Sequence, residues 1–179
     1  MFLETQRLTI LETERLRLAP LERGDVDLIY PLMGDAEVMA FWDIPPIDDP
    51  DLLDALVASQ VAANAQGEAN YWSLRTLGER EFIGCCDLSG IDRWHRRGEI
   101  GFLLRRDAWG QGYGLEAMQA VVAYAGAAGL RKLTARTHVG NRRSEQLLGK
   151  LGFTFEGRLH GHVERDGQRR DCNVFGLLL

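Results

Sequence analysis

RRDAWGQGYGLEA, residues 105–117, places three glycines in five positions between an apolar strand pattern and an amphipathic helix. Upstream, Arg97–Leu104 ends in Leu103-Leu104 and is predicted to be a strand. Downstream, Leu115, Met118, Val121, Val122 and Ala125 recur at helical spacing, and Gly129 ends the helix. A strand that turns directly into a helix through Gly110-Gln111-Gly112-Tyr113-Gly114 presents successive backbone N–H groups beside the positive helix end, a cradle for a diphosphate. Glycine suits such a turn because a Cβ obstructs close approach and positive φ is common there. A purely structural turn is the competing reading. Two phosphate motifs are absent: G-x-x-x-x-G-K-[ST] does not occur, and the spacing G-x-G-x-G lacks the dinucleotide fingerprint and its acidic partner about 20 residues on.

Working outward, residues 4–11 (ETQRLTIL) and 12–19 (ETERLRLA) nearly repeat, and both are predicted to be extended. The second leads into the domain, and residues 1–13 form an additional strand or an arm. Val26, Ile29, Tyr30 and Met33 predict a short helix, and Pro45-Pro46 forces the segment 40–50 into a loop. Asp49 followed by Pro50 predicts the start of a second helix, ending near Gly67. Strands are predicted over Tyr71–Leu77, Phe82–Leu88, Lys132–Val139, Phe153–Arg165 and Asp171–Leu179, the last pair joined by an Asp166-Gly167 turn. Asn141 caps a further helix that Gly152 ends. This mixed order predicts one α+β domain over 1–179, a sheet with helices packed on it.

Composition narrows the function classes. With 45% hydrophobic and 26% charged residues, the 179-residue chain can bury one ordinary core. A net charge of −5 disfavours nucleic acid and anionic membranes and weakly favours a cationic substrate. Met118–Leu130 is too short to span a bilayer, no signal peptide is evident, and Cys85, Cys86 and Cys172 form no disulfide framework. A reducing cytoplasm is the expected location.

At this point the chain resembles the GNAT acetyltransferase superfamily. Its signature [QR]-x-x-G-x-[GA] is similar to Trp109-Gly110-Gln111-Gly112-Tyr113-Gly114, with Trp109 at the position of the usual Gln or Arg. That substitution resembles the RimJ/RimL branch of ribosomal-protein N-terminal acetyltransferases. Residues 14–39, GEIGFLL (98–104) and NRRSEQLLGKLGF (141–153) resemble that branch in the same order, so the likeness covers 14–179. It implies a central mixed, twisted sheet of about seven strands with helices on both faces and a splay between the fourth and fifth strands. It further implies acetyl-CoA as cosubstrate and an amine as acceptor, with no metal, nucleic acid or membrane partner. A homodimer is compatible with it.

The resemblance assigns the cosubstrate to the backbone of Phe102, Leu103 and Leu104, to Trp109, Gly110, Gln111, Gly112, Tyr113 and Gly114, and to Asn141 and Ser144. Direct transfer needs a neutral amine, an oxyanion donor and a proton for the thiolate. Glu99, just before the cofactor segment, is the candidate base; a structural pairing with an arginine such as Arg97 is the alternative. A backbone N–H from Phe102 to Leu104 is the candidate oxyanion donor. Many superfamily members place a tyrosine seven residues after the helix-start asparagine as the acid. Here that position is Leu148, so Ser144 takes the role, or else only binds CoA. Asn141 serves either the pantetheine or a plain helix cap. His138 is a further candidate base, and Cys85 or Cys86 a candidate acyl-carrying nucleophile. His160 and His162 lack ligand partners. The expected reaction is acetyl transfer to a protein N-terminal amine. The alternatives are a small amine (polyamine, amino acid or antibiotic) or a non-catalytic acyl-CoA-binding regulator.

Overall fold

The computed structural model describes residues 9–179. Most of the extended segment expected at 4–11 falls within residues 1–8, outside the described residues. Eight strands form one sheet: β1 (Leu11–Glu12), β2 (Leu16–Pro20), β3 (Asn70–Thr76), β4 (Phe82–Asp92), β5 (Arg97–Leu104), β6 (Lys132–His138), β7 (Thr154–Arg165) and β8 (Gln168–Leu178). Their order is β1-β2-β3-β4-β5-β6-β8-β7, and only β5 and β6 run parallel. The eighth strand is β1, two residues within the 1–13 segment expected to add a strand or an arm, which pair Leu11 with Leu18 and Glu12 with Arg17 at the sheet's edge.

Helices α1 (Val26–Gly34), α2 (Pro50–Gln66), α3 (Tyr113–Ala127) and α4 (Arg142–Lys150) start and stop where local chemistry directs. Asp49 accepts from the amides of Asp51 and Leu52 at the start of α2, and Gly67 closes it at φ 68°. Asp166 (φ 56°) and Gly167 (φ 71°) both occupy the left-handed region that a two-residue hairpin turn between β7 and β8 requires. Among the described residues, no helix is long and apolar enough to cross a membrane.

Strand alternation sends two sets of side chains to opposite faces. Leu16, Leu18, Trp72, Leu74, Cys86, Leu88, Ile100, Leu104 and Leu133 pack with Met118, Val121 and Ala125 of α3 and Leu148 of α4. Trp72 meets Tyr124 edge-on at 5.4 Å between ring centroids. The opposite face buries Phe82 and Leu103 against Ile29, Leu32 and Met33 of α1 and Leu53 and Val57 of α2. Each fully buried leucine contributes about 1.5–3 kcal/mol, so both helical layers hold the sheet.

One junction in this sheet is short. Pairing of β5 with β6 covers Arg97↔Lys132, Gly98↔Leu133 and Glu99↔Thr134 and goes no further, although β5 continues to Leu104 and β6 to His138. Beyond Glu99 the facing edges of the two strands have no registered partner.

Candidate active site

The glycine turn sits at the end of that free edge. Gly110 has φ 75° and Gly112 φ 83°, so both occupy backbone space that side chains rarely adopt. A Cβ on Gly110 would meet nothing within 4 Å, and one on Gly112 would lie 3.3 Å from Nη2 of Arg15. Gly114 differs. It lies inside α3, and a Cβ there would come within 3.1 Å of Leu147 and 3.4 Å of Leu104 and Phe102. Gly114 therefore lets α3 approach α4 and β5 closely, a packing role that sequence spacing does not distinguish from the other two. Among the described residues, no backbone acceptor meets the amides of residues 110–115, whereas Glu116 N already bonds the Gly112 carbonyl.

The turn is braced from β2's side. Arg15 donates from Nη1 to the Gln111 carbonyl (2.9 Å) and from Nε to Glu116 (2.7 Å), and its guanidinium lies 4.7 Å from the Tyr113 ring centroid. Thr13 and the Arg15 amide also donate to Glu116. Burial disfavours the charged form of Glu116, but these hydrogen bonds outweigh it and hold its carboxyl below the usual range. Trp109 turns its indole N–H to the Leu104 carbonyl (2.9 Å) and carries the Arg143 guanidinium 4.8 Å above its ring.

Register decides which main-chain groups of β5 reach the gap. Arg105 N bonds the Ile83 carbonyl while Leu104 faces Gly84, so Leu103 directs its backbone toward β4, whereas Phe102 and Leu104 direct theirs toward the β6 side. The expectation that Leu103 offers backbone groups to a ligand therefore fails on register. Leu104 retains only its N–H, because the Trp109 indole occupies its carbonyl. Across the gap, the Asn141 side chain caps α4 by accepting from Ser144 N at 3.3 Å. Ser144 is partly exposed in the first turn, and Leu148 is buried in the core.

The face of the sheet toward α1 and α2 carries the charges. Glu99 pairs in register with Ser89 and Thr134, and Arg136 lies two residues along β6 on the same face. Glu99 comes within 3.9 Å of Arg136 Nε, while Arg97 instead pairs with Asp92. Arg136 and His138 converge on Asp43, at 2.8 Å each, from the loop between α1 and α2. Burial works against the Asp43 carboxylate, yet its bonds to Arg136 and His138 hold its pKa below the ordinary value. His138 is 4% exposed, and its Nδ1 has no partner among the described residues. That loop is clamped by Arg165 of β7, which donates to the Met39 and Trp42 carbonyls at 2.5 and 3.0 Å.

Residues 15–154 match the acetyltransferase (GNAT) domain family. The chain belongs to that family. This acetyltransferase is 34% identical to the ribosomal-protein-serine acetyltransferase of Escherichia coli, over 96% of this chain and 97% of that one. It is 25% identical to the spermidine N(1)-acetyltransferase of Vibrio cholerae, over 92% and 93%. Its fold superposes on the RimL ribosomal L7/L12 α-N-protein acetyltransferase solved with coenzyme A with a TM-score of 0.86, at 18% identity and covering 96% and 98%. It is an N-acetyltransferase that uses acetyl-CoA.

For this acetyltransferase the structure brings together Glu99, the β5 edge and the glycine turn along one strand, with α4 across the gap. It removes the cysteine nucleophile: burial pushes the Cys85 and Cys86 thiols well up, opposite to what a reactive thiolate needs. Asp43, Arg136, Arg15, Arg143 and Arg165 escaped sequence reasoning, since each meets its partner through long-range contacts. Arg165→Ala should lower the melting temperature and speed hydrogen exchange at residues 38–43. Loss of the charge-assisted bonds that the guanidinium gives the Met39 and Trp42 carbonyls costs about 1.5–3 kcal/mol. Unchanged exchange there would show that the clamp carries no weight.

Proposed function

We propose that this acetyltransferase acetylates the α-amino group of a protein or peptide N-terminus. The higher identity to the ribosomal-protein-serine enzyme, along nearly the whole of both chains, carries that choice over a free polyamine. Residues 110–115 fit a diphosphate because their amides lack backbone acceptors and two left-handed glycines keep side chains away. Gly110, Gln111, Gly112, Tyr113 and Gly114 offer those amides. Trp109 fixes the end of β5 beside them. The main chain of Phe102 and the N–H of Leu104 pair with the pantetheine as with an added strand, joined by the Asn141 side-chain N–H groups.

Acetyl-CoA supplies an activated acyl group with a thiolate leaving group; the protein handles protons and charge. Glu99 accepts a proton from the acceptor ammonium. The neutral nitrogen attacks the thioester carbon, and an N–H of Phe102 or Leu104 stabilises the oxyanion. The C–N bond is complete in that tetrahedral adduct. As it collapses the C–S bond breaks, Ser144 relays the proton shed by the nitrogen to the departing sulfur, and Glu99 returns its proton to solvent. A thiol pKa of about 8.5 makes that last step undemanding.

A second reading, a small polyamine acceptor, is favoured by the carboxylates Asp43 and Glu99 at Arg136 and by Asp87 beside Glu99. Thiol release measured with DTNB over peptides beginning with serine, alanine or methionine, their N-blocked forms, and spermidine separates the readings. Turnover of free-amine peptides and not of blocked ones is expected. Turnover of spermidine alone would install the second reading, and CoA binding without turnover of any amine would leave a regulator.

A further inference from the structure

Sequence reasoning did not single out Asp87, yet register places it beside the proposed base. Tyr71, Asp87 and Gly101 face one another across β3, β4 and β5, one side-chain step from the Ser89↔Glu99 pair and on the same face of the sheet. Gly101 shows where the carboxyl lies: a Cβ there would sit 2.7 Å from Oδ1 of Asp87. Glycine at 101 leaves that carboxyl room above the central strand, two residues from Glu99 and next to Phe102, where the pairing of β5 with β6 has ended.

The charges around this point do not balance. Arg136 is committed to Asp43 at 2.8 Å and stands 3.9 Å from Glu99. Asp87 accepts from the Ser89 hydroxyl at 2.8 Å and has no cationic partner among the described residues. Asp87 without a cation, and Glu99 facing a guanidinium already paired with Asp43, leave a deficit of positive charge that a bound ammonium offsets.

We propose that Asp87 is a second acceptor-binding carboxylate, which together with Glu99 seats the ammonium ion of the acceptor above Gly101. This rests on the acetyltransferase reading of Glu99 given above and extends it to the acceptor: a primary ammonium ion held between two carboxylates. Burial, with the charge of Glu99 adding to it against the Ser89 hydrogen bond, pushes the Asp87 carboxyl up to about 6. A cation beside it relieves both effects. Asp87 binds, Glu99 takes the proton, and no atom beyond those of the transfer itself is required.

The test is steady-state kinetics of Asp87→Asn and Gly101→Ala, with a serine-initiated peptide and spermidine as acceptors and calorimetry with CoA as the check on folding. Gly101→Ala keeps both charges but displaces the Asp87 carboxyl, so it reports on placement where Asp87→Asn reports on charge. Both should raise the acceptor KM about tenfold or more, with kcat changed less than threefold and CoA affinity retained. A wild-type enzyme inactive on every amine would overturn the acetyltransferase reading and this assignment with it. An active wild type with acceptor KM unchanged in either CoA-binding variant would overturn the assignment alone, as would a loss confined to kcat.

Discussion

Gly112→Val should reduce affinity for coenzyme A by more than a hundredfold while leaving a folded protein. The residue sits at φ 83°, where a β-branched side chain is strained by roughly 1–3 kcal/mol. A Cβ would already press to 3.3 Å from Arg15 Nη2, and the valine methyls extend further. Arg15 also holds the Gln111 carbonyl and Glu116, so displacing it disturbs the conformation in which the 110–115 amides lack backbone acceptors. The strain and the lost approach fall on the same atoms. Isothermal calorimetry of the variant, with circular dichroism as a control, reads the outcome. Retained micromolar affinity would mean that the turn is architectural and the diphosphate lies elsewhere.

Glu99→Gln should lower kcat by about 10²–10³ with little change in CoA affinity, since the side chain sits on the sheet face and the amide keeps its shape. The pH dependence gives the sharper signature. An α-amino group titrates near 8, so below that pH its free-base fraction falls about tenfold per unit. With a working base, the enzyme draws on the abundant ammonium form and its rate changes little across this range. Without one, the rate follows the scarce free amine. The deficit therefore grows as pH falls from about 8 to 6 and shrinks above it. A pH–rate profile parallel to that of the wild type would remove Glu99 from the proton transfer and turn attention to His138, whose Nδ1 lacks a partner among the described residues.

The two variants separate binding from chemistry. Gly112→Val acts on main-chain geometry and should be rescued by no change of pH or acceptor. Glu99→Gln acts on one proton, so a more acidic amine, already neutral at the assay pH, should recover much of the loss. Asp43 fixes the loop between α1 and α2 to β6 through Arg136 and His138, while Arg165 grips the same loop from β7. The position of this loop therefore depends on residues drawn from three distant parts of the chain.

Amino-acid order alone was enough for the features whose causes are local. The Asp49 cap, the left-handed Gly67 and the Asp166-Gly167 turn follow from backbone sterics and unsatisfied amides within a few residues, and all are observed. The GNAT motifs were legible for a similar reason, because Gly110 and Gly112 occupy a local backbone conformation that favours glycine. The positions of Asp87 beside Glu99, of Asp43 against Arg136, and of the Trp109 indole on Leu104 were not legible. Alternation assigns a strand residue to a face but not to a neighbour, and it cannot say which edge of β5 stays unpaired. Those contacts follow from register and from the path of loops. Only packing of the whole chain around its two hydrophobic layers sets these.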